Sequence, residues 1–346
     1  MAYQLPKLIL FSSDSNVQYE KDIYNVIALP YNGEYRFRYK SEYIDSNAMQ
    51  LLNDVDKIKN ERILIAFRTN SVSEETDHFM VPVRWATFNK VERIDKFYII
   101  WFTAKDYPLF SSEFEKAMKS YNSNVEFSKR FFSVDNRNTI FVSSETPDIV
   151  LPNESENLNT PEQEKAWTQI IEALSQHNIF KNRFFFKTIT TIDGNTKSVK
   201  MKENKQSLIE IVHYCNSDDK KDLASNVEIQ YDSNILISVL GNQEQIECSY
   251  DKNYFPFLPK YINQKLNTTI TFAITSKKYD QETKIQIPVK IYRSNKKRLI
   301  RAGISLVGAL CLGVGGILNC IPTFSKIMLF ILGSIGVASS WLFSKD

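Results

Sequence analysis

The 48 residues from Leu299 to Asp346 constrain this chain most. After Leu299-Ile300-Arg301 come nineteen residues without a charge, Ala302 to Cys320. A short link, Ile321-Pro322-Thr323-Phe324-Ser325-Lys326, leads to a second uncharged run from Ile327 to Phe343. A bilayer core of roughly 30 Å takes about 20 apolar helical residues, with about 17 as the lower limit. Both runs meet that length, and Pro322 supplies the turn, so the pattern predicts a two-helix transmembrane hairpin.

Glycine usage fits the same expectation. Seven of the ten glycines (Gly303, Gly308, Gly313, Gly315, Gly316, Gly333 and Gly336) fall in this tail. Soluble helices avoid glycine, whereas membrane helices use small residues to let backbones approach. Ser305, Ala309 and Gly313 lie four apart, as do Gly336 and Ser340, which gives each helix a small-residue packing face. Lys290, Arg293, Lys296, Lys297, Arg298 and Arg301 precede the first helix, and no Asp or Glu occurs between Glu282 and Asp346. The positive-inside rule puts this flank in the cytoplasm. The expectation is an inner (cytoplasmic) membrane protein with both termini cytoplasmic, in contact with membrane lipids and self-associating as a homo-oligomer.

A chain of 346 residues has room for about two soluble domains before such an anchor. The apolar patch Leu8 to Phe11 is too short for a signal-peptide core, so the preceding 300 or so residues are expected to be cytosolic. Cys215 and Cys248 are the only cysteines before the hairpin, too few for a disulfide framework. The net charge of +3 sits mostly in the juxtamembrane cluster and does not mark a nucleic-acid binder.

The chain before the hairpin is predicted to be mainly β, in two β-rich domains. Residues 1–142 read as a small barrel or sandwich with two short helices. Its β-branched and aromatic runs are Lys7 to Phe11, Tyr24 to Leu29, Tyr35 to Tyr39, Arg62 to Arg68, Phe79 to Trp85 and Phe97 to Phe102. Helices are predicted from Ser46 to Lys59 and from a Ser112 cap to Tyr121. Residues 143–160, with Glu145, Asp148, Glu154, Glu156, Pro147 and Pro152, form an acidic linker. A helix follows, capped by Thr160 with Gln163 closing the box, and Trp167, Ile170, Ile171 and Leu174 on its apolar face. Strands then recur through 161–295 at the spacing of a β-sandwich, ending in the alternating run Thr283 to Tyr292. Residues 296–346 are the basic flank and hairpin.

No catalytic constellation assembles. Only Gly33, Gly194 and Gly241 precede the hairpin, which excludes a Walker loop or a dinucleotide fingerprint, since each needs clustered glycines against phosphate. His213-Tyr214-Cys215 has no accompanying metal-ligand spacing, and ordinary packing explains it. Ser217 and Lys220 share a polar loop with Asp218 and Asp219 and do not form a nucleophile motif with an oxyanion donor. The reading is therefore non-enzymatic, with no cofactor and no metal.

One constellation rises above background: Tyr35-Arg36-Phe37-Arg38-Tyr39-Lys40. Strand alternation puts Tyr35, Phe37 and Tyr39 on one face and Arg36, Arg38 and Lys40 on the other. Three cations in a row would bind an anion or an acidic partner, the more so if Arg68 and Arg84 lie alongside, because guanidinium forks suit phosphate and carboxylate. The plainer reading is a solvated outer face whose cations pair with Glu34, Glu42 and Glu61.

In domain order the chain resembles the two-transmembrane-helix effectors of prokaryotic antiphage defence systems. That resemblance implies a cytosolic β module that senses a nucleotide signal or protein partner, and helices that assemble in and perturb the membrane. The alternative is a membrane-tethered adaptor or scaffold whose β domains hold a protein partner.

Overall fold

A computed structural model describes residues 6–13, 17–69, 79–120, 140–141, 149–150, 157–175, 184–215, 225–246, 251–262, 264–276, 281–293 and 331. The predicted hairpin lies outside them apart from Ile331, as do the packing positions Ser305, Ala309, Gly313, Gly336 and Ser340 and the flank Lys296, Lys297, Arg298 and Arg301. Among the described residues no helix is long and apolar enough to cross a membrane.

The chain is mainly β, as its periodicity predicts. The first half runs β1 (Leu8–Ser13), α1 (Val17–Ala28), β2 (Glu34–Lys40), α2 (Ser46–Asn53), β3 (Arg62–Arg68), β4 (Met80–Ile94) and β5 (Phe97–Ala104). It continues with β6 (Leu109–Phe110), α3 (Ser112–Met118), β7 (Ile140–Phe141), β8 (Ile149–Val150) and α4 (Pro161–Ser175). Six strands form one sheet in the order β2-β5-β4-β3-β1-β7, a half-barrel with β2 and β7 at its edges. Most neighbours are antiparallel, but β1 and β3 are parallel. A parallel pair needs a long crossover, and α1, β2 and α2 lie within it.

The stretch Tyr24 to Leu29, predicted as a strand, instead forms the end of α1, through Ala28, and the residue after it. Its buried residues Ile23, Val26 and Ile27 recur at spacings of three and four, the helical period, and Pro30 stops the helix because proline cannot continue it. The predicted helix at 46–59 ends early. Asp45 caps α2 by accepting from the backbone N–H groups of Asn47 (2.9 Å) and Ala48 (3.2 Å), and a separate 3-10 turn covers Val55–Lys57. Ser111, one residue before the predicted cap, holds α3 by accepting from Phe114 N–H at 3.1 Å. Thr160 caps α4 as predicted, accepting from Gln163 N–H at 3.2 Å. The Gln163 side chain does not close a box there; its Oε1 accepts from Tyr107 N–H at 2.7 Å. β4 is longer than its sequence signal and carries two register shifts against its neighbours, between Ile65 and Ala66 and between Phe88 and Lys90. Pro82 sits beside the first, where a missing ladder donor is tolerated.

The second half is a β-sandwich. Its strands are β9 (Phe184–Thr188), β10 (Val199–Lys202), β11 (Ser207–Cys215), β12 (Ser225–Gln230), β13 (Leu236–Ser238), β14 (Gln243–Ile246), β15 (Asp251–Pro259), β16 (Leu266–Ser276) and β17 (Gln281–Tyr292). A five-stranded sheet, β10-β17-β16-β12-β14, faces a four-stranded one, β13-β15-β11-β9. Between them lie Ile285, Ile287, Val289 and Ile291 of β17, Ile270, Phe272 and Ile274 of β16, and Phe255 and Phe257 of β15. The strict alternation of β17, buried at odd positions from Thr283 to Ile291, is the sequence signature of a strand with one covered face.

β9 departs from that alternation. Phe184, Phe185, Phe186, Lys187 and Thr188 are all buried. Phe184 and Phe186 join the sandwich core, whereas Phe185 joins the core of the N-terminal half, its ring 5.3 Å from that of Tyr24 on α1. A strand covered on both faces reads as an unbroken apolar run, and this one is the seam between the two cores. α4, although it follows the acidic segment and leads into the sandwich, buries Ala166, Trp167, Ile170, Ile171 and Leu174 in the N-terminal core. Phe185→Ala is expected to lower unfolding free energy by about 3–5 kcal/mol, whereas Phe185→Leu costs under about 2, checked by chemical denaturation.

Candidate functional site

β2 is an edge strand, and its alternation is the predicted one. Phe37 and Tyr39 are buried, Tyr35 packs against the same core, and Arg36 and Arg38 are exposed. Pairing with β5 sets Arg36 opposite Trp101, Arg38 opposite Ile99 and Lys40 opposite Phe97. β4 extends the face with Lys90 opposite Trp101, Glu92 opposite Ile99 and Ile94 opposite Phe97.

The result is a cationic and aromatic surface. The Arg36 guanidinium and the Lys90 ammonium each lie 4.9 Å from the Trp101 ring centroid. Arg38 lies 4.9 Å from Phe97, which Lys96 approaches at 6.0 Å. Lys40 lies 5.7 Å from Tyr43 and pairs with Glu42 at 3.4 Å. Such contacts are worth about 0.5–1 kcal/mol at exposed sites, and stacking holds a guanidinium flat with its N–H edge still open. Lys90 pairs with Glu92, whose carboxyl is held below its ordinary range first by that bond. Among the described residues neither Arg36 nor Arg38 has a carboxylate within ion-pair distance, although the charge of Arg36 is felt at Glu92. Glu34 turns elsewhere, accepting from Asn89 Nδ2 at 3.0 Å and meeting Lys197 at 3.6 Å.

Arg68 and Arg84 do not join this face. Arg68 lies on β3, three strands from β2 in the sheet order, buried against the Phe11 ring at 5.5 Å, and burial pushes its guanidinium down to about 10. Arg84 is fully buried on the other side of the sheet, facing α1. Its Nη1 donates to the Ile27 carbonyl at 3.3 Å, its Nε to that of Lys105, and its guanidinium stacks 4.1 Å from the Tyr107 centroid. Burial lowers its pKa, opposed by the nearby Tyr107 and Asp106. Close by, Lys187 of β9 is buried against Trp167 at 4.6 Å and bonded to Glu164 of α4. These residues join the two halves of the chain.

The aromatic partners Trp101 and Phe97 and the extra cations Lys90 and Lys96 escape sequence reasoning. The one available signal was β5 itself, in which Phe97, Ile99 and Trp101 put apolar residues on the face that ought to be wet. His213 is a core histidine, buried in its strand with Nδ1 3.0 Å from Asn253 Nδ2. Among the described residues no group of three or more His, Cys, Asp or Glu is placed to hold a metal. Ser217, Asp218, Asp219 and Lys220 lie outside the described residues.

Beneath the cationic face, on the α1 side of β2, the Tyr35 hydroxyl donates to Asp22 Oδ1 and accepts from Asn25 Nδ2, both at 2.9 Å. Asn25 Oδ1 in turn accepts from the backbone N–H of Lys284 on β17, so the edge strand is tied to the sandwich through α1. Burial pushes the Asp22 carboxyl up to about 6, against the lowering effects of Tyr35, Gln18 and Arg38.

No protein-family model and no curated relative matches the chain. Several solved structures match a part of the chain. The chaperone–tip adhesion subunit complex CsuC–CsuE of Acinetobacter baumannii is 12% identical, over 28% of this chain and 54% of that one, with a TM-score of 0.22. The CooA pilin subunit of enterotoxigenic Escherichia coli is 11% identical over 28% of this chain and 90% of that one, also at 0.22. A cohesin module from a Clostridium perfringens glycoside hydrolase is 13% identical over 32% of this chain and 98% of that one, at 0.19. The chain thus spans about half the length of the first of these. At such scores the similarity assigns neither fold family nor function.

A carboxyl whose folded pKa lies above its unfolded value stabilises the fold below the unfolded value, and that contribution is lost as pH rises to the folded value. For Asp22 the window runs from its ordinary 3.8 to about 6. Asp22→Asn, which keeps an acceptor for Tyr35, is expected to gain on the order of 2 kcal/mol over wild type at pH 7 relative to pH 4, read from urea midpoints at both.

Proposed function

We propose that this protein is a membrane-tethered sensor-effector. Its β modules bind an anionic ligand or an acidic segment of a protein partner on the Arg36–Arg38 face, and its C-terminal helices associate in the bilayer and perturb it. The observation that carries the reading is the pair of stacked, carboxylate-free guanidinium groups on an exposed edge strand. A guanidinium resting over an aromatic ring offers a planar donor fork suited to phosphate or carboxylate, with part of its side-chain freedom already restrained.

The second support is the order of the chain. The sandwich ends at Tyr292, and the uncharged runs Ala302 to Cys320 and Ile327 to Phe343 follow, the first after nine residues. These runs contain no charged side chain, so any ion path through them is made by several copies together or by disturbed lipid. The layout resembles that of antiphage effectors, and under that resemblance the ligand is a nucleotide signal or a protein partner.

The link from the face to the membrane is α1. Tyr35 of β2 reaches Asp22 and Asn25, and Asn25 reaches Lys284 on β17, the strand from which the chain continues toward the hairpin. Occupancy of the face is thereby linked by hydrogen bonds to β17, whose other end leads toward the anchor.

Arg36→Glu/Arg38→Glu is expected to change folding stability by less than about 1 kcal/mol, because both side chains are exposed. The same variant abolishes depolarisation in cells that carry the full chain and its trigger, followed with a membrane-potential dye. Unchanged depolarisation returns the two arginines to a solvated face. No depolarisation by the wild-type chain under any trigger leaves the hairpin as a passive anchor and the protein as an adaptor.

A further inference from the structure

We propose that the end of the sandwich at which the chain leaves β17 rests on an anionic lipid surface; this rests on the reading of 302–343 as a membrane hairpin. Four segments meet at that end. Lys202 pairs with Tyr292, Leu266 with Ile291, and Leu236 with Pro259. The two sheets are stitched together there: Glu203 N–H donates to the Tyr292 carbonyl at 3.0 Å and Asn204 N–H to that of Pro259 at 2.9 Å. Lys260 N–H closes the other side by donating to Ile235 O at 2.8 Å.

The charge at this end is one-sided. Lys202, Lys205, Lys260 and Lys265 are exposed, and Lys290 and Arg293 are half-buried beside them. Two carboxylates accompany these six cations among the described residues, and both are committed to backbone. Glu203 is buried with Oε2 accepting from Ile262 N–H at 3.3 Å, and Asp232 accepts from Asn234 N–H at 2.9 Å. Lys200, opposite Lys290 on β17, is matched by Asp193 and adds nothing.

Tyrosines stand among the cations. Lys265 and Lys290 each lie 5.8 Å from the Tyr292 ring, and Arg293 lies 5.8 Å from Tyr261 while donating to its hydroxyl at 3.0 Å. Lysine and arginine stems with tyrosine rings suit the boundary between headgroups and acyl chains, where apolar bodies are covered and polar tips stay wet. A leaflet rich in anionic lipid attracts each such cation within a Debye length.

Geometry brings the surface to hand. From Arg293 to Ala302 the chain can span at most about 30 Å fully extended. The segment carries Lys296, Lys297, Arg298 and Arg301, which continue the same charge. A tether this short keeps the sandwich end at high effective concentration near the bilayer, so contact costs little entropy. α1 meets β17 at Lys284, toward the opposite end of the strand.

The test uses the full chain reconstituted in vesicles of phosphatidylcholine alone or of phosphatidylcholine with phosphatidylglycerol, followed by hydrogen exchange and mass spectrometry. Peptides covering 202–207 and 259–266 are expected to exchange several-fold more slowly in the anionic vesicles, and added salt erases the difference. Peptides covering 225–229 and 282–285 stay the same and report that the fold is intact. The variant Lys202→Glu/Lys205→Glu/Lys260→Glu/Lys265→Glu loses the protection while its far-end peptides are unchanged. Equal exchange in the two vesicle types, in a chain that alkaline carbonate does not extract, overturns this inference alone. Extraction by carbonate overturns both it and the hairpin reading.

Discussion

Helix α1 ends inside the protein, and that one fact organises much of what surrounds it. The last carbonyls of a helix have no partner within it, and burying them unpaired is costly. Here the Ile27 carbonyl accepts from Arg84 and from the Tyr107 hydroxyl at 2.6 Å, and the Ala28 carbonyl accepts from Thr188 at 2.8 Å. The donors come from β4, from the stretch after β5 and from β9, so a single helix terminus binds the half-barrel to the sandwich. Asn32, at positive φ of 65° just beyond it, adds a bond to the Ile192 carbonyl at 2.9 Å.

The same junction explains why β9 is uniformly buried. Its two faces belong to different cores, so it has no wet side on which to place polar residues. The one charged residue it carries, Lys187, is neutralised by Glu164 and stacked on Trp167. Removing Glu164 would leave the buried Lys187 ammonium without its counter-charge in a low-dielectric setting, which is the expensive case. With α1, α4 and β9 all shared, the two halves of the described chain meet through packed residues.

Seen from this junction, the arginines of the N-terminal sheet divide by what they face. Arg84 faces α1 and is consumed in structure. Arg36 and Arg38 face away from it, on an edge strand, and stack on rings that a soluble sheet would ordinarily have made polar. At the far end of the sandwich a second cationic surface gathers where the chain departs toward its apolar tail. Two separate basic faces thus stand on the described chain, with α1 and β17 between them.

Period alone determined a good deal. Alternation in Thr283 to Tyr292 and in Tyr35 to Lys40 fixed which residues turn inward, and Thr160 marked the start of α4, because these are local properties of a strand or a helix cap. The Tyr24 to Leu29 run misled because β-branched residues also serve in a buried helix, where only their spacing tells. β15 is hard to read from sequence because Pro256, Pro259 and the polar start Asp251-Lys252-Asn253 look like loop, although the strand sits inside its sheet between β13 and β11. What only the tertiary structure decided was pairing: that Trp101 lies beside Arg36, that Arg84 lies under α1, and that cations from four separate segments share one end of the sandwich. Strand register and helix docking are set by contacts between residues far apart in the chain, and no local pattern encodes which distant partner will be met.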